Sequence, residues 1–209
     1  MIIVAHRINT IEELSKLDPK YGVEIDIRGY GDQILLSHDP ISNPNTLVSL
    51  EDYLKTFTIQ GNSFIIFNIK EAGYEERVLN LAAHYDIPKE NYFLLDVEFP
   101  YLYKATREGI RELAIRYSEA EPIENVESQI RDGKTLLDWV WIDTNTRLPL
   151  NEEIVHRLSL FKTALVSPDR WGRPQDIDAY AEEIKQLGMN LDLVMTSVET
   201  IPTWERHLV

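Results

Sequence analysis

Two histidines bracket two carboxylates early in the chain. His6 follows the apolar run Ile2-Ile3-Val4, Glu24 and Asp26 lie inside Val23-Glu24-Ile25-Asp26-Ile27, and His38 follows the run that starts at Gln33. An unperturbed imidazole titrates near ~6.5, so each histidine can take or give a proton near neutral pH. A strand alternates its side chains, which puts Glu24 and Asp26 on one face and Val23, Ile25 and Ile27 on the other. Two acids on one face of a buried strand repel each other and lose hydration, a cost offset by a cation or a basic partner. Their spacing suits two oxygen ligands of one octahedral cation whose other positions are filled by water and substrate. A pair salt-bridged to Arg7, Arg28 or Lys70 is the alternative, and Arg28 shares the parity of the acids. A lone histidine at a strand end can simply satisfy a backbone carbonyl; it is the pair, with Arg7 and Asp39 adjacent, that favours chemistry. His84, His156 and His207 fall on helices or the tail and read as solvated.

The elements that must position these residues alternate along the whole chain. Strands are expected at Ile2 to Ala5, Val23 to Ile27, Phe64 to Ile69, Tyr92 to Val97, Leu113 to Tyr117, Trp139 to Asp143, Thr163 to Ser167 and Leu191 to Met195. Helices are expected after Asn9, where Thr10 and Glu13 form a capping box, and from Ser49, Tyr74, Pro100, Pro122, Asn151 and Pro174. The Pro122 helix is expected to run to Asp132, the Pro174 helix is closed by Gly188, and a short helical tail surrounds Trp204. Gly29 to Asp32 reads as a tight turn into Gln33 to Ser37, so His38 rides on the return arm of a hairpin. Setting that arm aside, eight strands separated by helices give an α/β chain of the (β/α)8 TIM-barrel class, with an extra hairpin arm after the second strand. At 209 residues, the expected organisation is a single domain over residues 1–209.

Composition narrows the function. Hydrophobic residues make up 44% and charged residues 27%, and no apolar run approaches the ~20 residues of a membrane span. With no basic leader or long apolar segment after Met1, a cytoplasmic location is expected. There are no cysteines, so thiolate and disulfide chemistry are excluded and a metal must be held by oxygen or imidazole, which favours Mg²⁺ or Ca²⁺. A net charge of −14 argues against a nucleic-acid surface. The same charge repels phosphates, so a phosphate ester would need a bound cation and a few placed basic residues such as Arg7, Lys70 and Arg116. Oligomeric state leaves no mark on the sequence.

In a TIM barrel the chemistry sits at the C-terminal ends of the strands. Those ends carry His6 and Arg7, Glu24 and Asp26, Asn68 and Lys70, Asp96, Arg116 and Glu119, Trp141 and Asp143, Ser167, and Thr196.

Ala-His-Arg, the Asn-Thr that follows, Gly-Val-Glu-Ile-Asp-Ile, a Gly-Asp turn, Leu-Leu-Ser-His-Asp-Pro and the later Asn-Ile-Lys together resemble the glycerophosphodiester phosphodiesterase family, within the superfamily that includes phosphatidylinositol-specific phospholipase C. The closing Leu191-Asp192-Leu193-Val194-Met195-Thr196 is similar to the family's last strand. The resemblance implies that His6 and His38 are the acid and base pair, that Glu24 and Asp26 bind a divalent metal, and that Arg7 and Lys70 contact phosphate. Two departures stand out. The family's loop glutamate after His-Arg is missing, and Asn68 occupies the position of its third metal-binding carboxylate. An amide oxygen can ligate Mg²⁺ or Ca²⁺ but supplies no charge, which predicts weaker metal binding, with Asp96 or Glu71 as substitutes. Arg116, Glu119 and Trp141, with Asp143, Ser167, Arg170 and Trp171, are candidates for the pocket of the leaving-group alcohol, although for any single tryptophan packing is the stronger expectation.

The expected activity is hydrolysis of a small alcohol phosphodiester, with a small-molecule substrate and a divalent cation. The rivals are a barrel that binds a phosphoester without turning it over, and a sugar-phosphate isomerase or lyase on the same scaffold.

Overall fold

A computed structural model describes residues 1–207. Its chain order is β1 (Ile2–Ala5), α1 (Ile11–Lys16), β2 (Gly22–Tyr30), β3 (Gln33–Leu36), α2 (Leu50–Gln60), β4 (Ile65–Ile69), α3 (Glu75–His84), β5 (Tyr92–Leu95), α4 (Phe99–Arg107), β6 (Ala114–Tyr117), α5 (Ile123–Glu127), β7 (Ile130–Arg131), β8 (Lys134–Thr135), β9 (Trp139–Ile142), α6 (Glu152–Leu158), β10 (Lys162–Val166), α7 (Ile177–Gln186), β11 (Leu193–Thr196) and α8 (Ile201–Glu205). Among the described residues eight parallel strands alternate with helices, the (β/α)8 TIM-barrel class, and β3 is the extra antiparallel arm. The chain divides into two compact units, Val4–Tyr103 and Met1–Ile3 with the residues from Lys104 onward.

In the unit of residues 4–103 the parallel strands run in the order β5-β4-β2-β1, and β3 pairs with β2. Strands buried on both faces read as near-continuous apolar runs. Accordingly Val23, Ile25 and Ile27 of β2 and Ile65, Ile66 and Phe67 of β4 are fully buried. Helix α1 begins with the expected capping box: Glu13 N donates to Thr10 Oγ1 at 3.1 Å, and Thr10 N donates to Glu13 Oε2 at 3.0 Å. Helix α2 is capped by Ser49, whose hydroxyl accepts from Asp52 N at 3.1 Å. The hairpin is longer than expected. Strand β2 continues to Tyr30, only Gly31 and Asp32 form the turn, and the ladder pairs Ile27 with Leu36 through to Tyr30 with Gln33. Gly29 is part of the strand rather than of the turn. A Cβ on it would lie 1.8 Å from Tyr74 Cζ, so glycine is needed there to let the Tyr74 ring lie against the backbone.

In the other unit the order is β11-β10-β9-β6, again parallel, and Ile2 N donates to Asp192 O at 2.7 Å. The expected helix from Pro122 to Asp132 is corrected here. Helix α5 stops at Glu127 and the chain turns into the β7–β8 hairpin, with Asp132 and Gly133 at φ 51° and 73°. An Asp-Gly pair at positive φ is the favoured two-residue hairpin turn, and this local preference overrides helix propagation. Helix α6 has the expected Asn151 cap, which accepts from Ile154 N at 2.9 Å. No helix among the described residues is long and apolar enough to cross a membrane.

Candidate active site

The cluster is built on β2. Glu24 and Asp26 are 1% and 0% exposed, on a strand flanked by β1 and β4. Charges buried this deeply need partners, and each carboxylate oxygen has one. Glu24 Oε2 accepts from Arg7 N at 2.8 Å and lies 3.9 Å from His6 Nε2, while Oε1 accepts from Asn68 Nδ2 at 2.8 Å. Asp26 Oδ2 accepts from Asn9 Nδ2 at 2.8 Å, and Oδ1 faces Lys70 Nζ at 3.0 Å.

Local backbone geometry places these partners. After β1 the chain turns through Arg7 at φ 54°, a left-handed conformation that costs energy for a side chain larger than glycine. That turn aims the Arg7 N–H at Glu24 and leaves the Arg7 side chain exposed. Asn9 then grips Asp26 twice, because the Asp26 N–H donates back to Asn9 Oδ1 at 2.8 Å. On the far side, β4 sets Asn68 beside Asp26 in parallel register, and Lys70 follows the strand end with its N–H bonded to Ile27 O at 3.0 Å.

Burial first, and the charge of Asp26 second, push the Glu24 carboxyl up to about 7. The hydrogen bonds from Asn68 and Arg7 and the charge of Lys70 work in the opposite direction. Glu24 therefore changes protonation in the range where histidines do.

His38 lies beyond β3, at the exit of the hairpin arm, with its side chain 41% exposed. Its Nδ1 lies 2.9 Å from Asp39 Oδ1, which leaves Nε2 as the ring nitrogen that Asp39 does not engage. That hydrogen bond is the leading reason the Asp39 carboxyl is held below its ordinary value. Arg28, offered above as a partner for the acids, is engaged elsewhere. It donates to His38 O and to Glu71.

His6, the Arg7 backbone, Glu24, Asp26, Asn68 and Lys70 are thus brought together, and Asn9 joins them. The Asn-Thr pair after His-Arg was the visible signal for Asn9, although nothing in its spacing announces the double bond to Asp26. Among the described residues no group of three or more His, Asp or Glu side chains is placed to hold a metal ion, and Glu71 is spent on Arg28 and Gly29. Both Glu71 oxygens are therefore engaged away from the Glu24–Asp26 pair. The donors present fit a hard divalent cation in chemistry, being two carboxylates and one amide oxygen. Two of those oxygens have acceptor capacity to spare. Asn68 Oδ1 is buried with no hydrogen-bond donor, and the ammonium facing Asp26 Oδ1 lies outside hydrogen-bond geometry.

The remaining expected residues lie in the other unit and are engaged there. Arg116 Nη1 donates to Asp143 Oδ2 at 2.7 Å, and Asp143 Oδ1 accepts from Trp171 Nε1 at 2.9 Å. Glu119 accepts from Thr146 N and Oγ1 at 2.7 and 2.8 Å. Trp141 is 2% exposed in β9, in register with Arg116, whereas Trp171 is 47% exposed.

The sequence matches no protein-family model and no curated protein. The structure is similar to solved ones, among them the following three. A putative glycerophosphoryl diester phosphodiesterase from Agrobacterium tumefaciens matches with a TM-score of 0.68 at 10% identity, over 99% of this chain and 98% of that one. A glycerophosphodiester phosphodiesterase from Parabacteroides distasonis matches with a TM-score of 0.66 at 14% identity, over 100% and 98%. Another from Agrobacterium tumefaciens matches with a TM-score of 0.65 at 13% identity, over 96% and 98%. At these identities the likeness establishes the shared fold.

Proposed function

We propose that this barrel hydrolyses a phosphodiester, a glycerophosphodiester or a related small alcohol phosphodiester, using His6 and His38 as its acid and base. The observation that carries the reading is the buried Glu24–Asp26 pair, with His6 at one carboxylate and Lys70 at the other. The shared fold with three phosphodiesterases supports it. Cleaving a diester requires removal of a proton from the attacking oxygen, a proton for the departing alkoxide, and positive charge against the nonbridging oxygens. One histidine deprotonates the attacking water or a neighbouring substrate hydroxyl, and the other protonates the alcohol. Lys70 and the Arg7 side chain face the phosphate. Glu24, Asp26 and Asn68 would hold Mg²⁺ or Ca²⁺, which when bound adds positive charge at the nonbridging oxygens.

The test is alcohol release across a panel of small diesters, with Mg²⁺ or Ca²⁺ and then with chelator. His6→Ala and His38→Ala are each expected to lower kcat by a factor on the order of 10² to 10⁴. Turnover unaffected by either substitution sinks the proposal.

A second reading, a phosphoester-binding module without turnover, is favoured by one observation. Asn68 Nδ2 hydrogen-bonds Glu24 Oε1, and the Lys70 ammonium already places a positive charge 3.0 Å from Asp26 Oδ1. Metal-independent binding of a phosphoester with no hydrolysis across the panel would support it, and metal-dependent turnover would exclude it.

A further inference from the structure

We propose that Arg28 and Glu71 are positioning residues that fix His38 for proton transfer. The inference rests on His38 acting as an acid or base, as proposed above.

The ladder of the hairpin does not reach His38. Strand β3 ends at Leu36, and the next bond along the same edge is Ser37 N to Asp26 O at 3.0 Å. Beyond that point two side-chain contacts hold the residue. Its carbonyl accepts from both Nε and Nη2 of Arg28, at 3.2 and 2.9 Å, and its Nδ1 meets Asp39 Oδ1 at 2.9 Å. A forked guanidinium on one carbonyl restrains the residue's own backbone and so its Cα–Cβ direction. The Asp39 contact restrains ring rotation and tautomer. Together they leave Nε2 as the nitrogen presented for exchange.

The guanidinium is itself braced. Arg28 Nη1 donates to Glu71 Oε1 at 2.7 Å, and Glu71 Oε2 accepts from Gly29 N at 3.2 Å. The Arg28 side chain is only 14% exposed and that of Glu71 40%, so the charge-assisted fork is buried at the guanidinium and open to water at the carboxylate. Glu71 directly follows Lys70, the partner of Asp26, so one loop after β4 holds both the acid pair and the clamp on His38. Tyr74 packs that loop onto the hairpin at Gly29. Lysine cannot imitate Arg28, because it offers a point charge without the planar fork that reaches a carbonyl and a carboxylate together.

A merely structural clamp would strengthen the hairpin without setting the histidine. Arg77 separates the two roles: its Nη2 donates to Asp32 O at 2.7 Å, bracing the turn of the same hairpin without touching His38. The experiment compares Arg28→Lys, Glu71→Gln and Arg77→Ala in the full chain. Two readouts are taken, kcat and KM on the best diester of the panel, and the imidazole nitrogen NMR shifts of His38.

Arg28→Lys is expected to lower kcat at least roughly tenfold with KM within about twofold, because small misplacements of a reacting group cost rate rather than binding. Glu71→Gln should fall between wild type and Arg28→Lys, and Arg77→Ala should match wild type. Without the fork on its carbonyl the His38 backbone is free to swing the ring off Asp39, so the His38 shifts should move toward a mixture of tautomers in Arg28→Lys and Glu71→Gln but not in Arg77→Ala. His38 shifts unchanged in Arg28→Lys, or moved as much by Arg77→Ala, would overturn the proposal. The NMR arm reads the clamp even if no diester is turned over, so failure of the clamp and failure of the hydrolase reading are distinguishable.

Discussion

Glu24 makes the stability of the protein depend on pH in a direction opposite to that of most carboxylates. Its carboxyl is raised from 4.5 to about 7, first by burial and then by Asp26. The folded state therefore binds a proton that the unfolded chain has already released, and this contribution to stability is present at low pH and lost as pH rises through about 7. Across the window from pH ~6 to ~8 the loss integrates to roughly 1 kcal/mol, using about 1.4 kcal/mol per pKa unit. For a chain of this size that corresponds to about 2–4 °C in Tm. The assay is thermal or urea unfolding in chelated buffer at several pH values, for wild type and Glu24→Gln. Glutamine keeps an acceptor for Asn68 but sets an amide donor against the Arg7 N–H, a pH-independent cost of about 1–3 kcal/mol. The wild-type curve should fall relative to the variant between pH ~6 and ~8. Repeating the pair in a His6→Asn background removes the histidine that lies 3.9 Å from Glu24 Oε2. Parallel curves in both backgrounds, or a wild-type curve that rises relative to the variant, would refute the reasoning.

Three further outcomes follow from the same geometry. Asn68→Glu restores a third carboxylate and should tighten Ca²⁺ or Mg²⁺ binding by at least about tenfold in calorimetry, and unchanged affinity would remove Asn68 from the cation site. Lys70→Met leaves the fully buried Asp26 without its cation and should lower stability in denaturant by about 3–5 kcal/mol, so a loss under ~1 kcal/mol would show that the ion pair is not what compensates Asp26. Gly29→Ala forces a Cβ into the Tyr74 ring and should cost about 1–3 kcal/mol, most of it recovered in Gly29→Ala with Tyr74→Leu; additive effects would mean the two do not meet.

The sequence was most informative where side-chain period, apolar runs and caps act locally. The Thr10–Glu13 capping box, the Asn151 cap and the alternating strand and helix order are all present as read. The shared placement of Glu24 and Asp26 followed from strand parity alone, and both side chains have donors from the neighbouring loops. Partner choice was less legible because it depends on register between strands. Only the β2–β4 register shows that Asn68 stands beside Asp26 yet reaches Glu24, and that Lys70 reaches Asp26. Arg28 shares the parity of the acids but extends past the end of the parallel pairing, where it finds His38 O and Glu71 instead. The Asp132-Gly133 dipeptide carries the local signal for the turn that ends the helical stretch early, with both residues at positive φ.

The double grip of Asn9 on Asp26 and the Arg7 contact with Glu24 each span 17 residues, whereas Asn68 reaches Glu24 across 44. Loop-closure entropy grows with the logarithm of that separation, so the longer closure costs roughly 1 kcal/mol more. In terms of assembly order, the rim formed by the first βα loop is the cheaper one to close on the acids. The wall formed by β4 comes at the greater chain-entropy cost, and that wall is where this chain carries an amide.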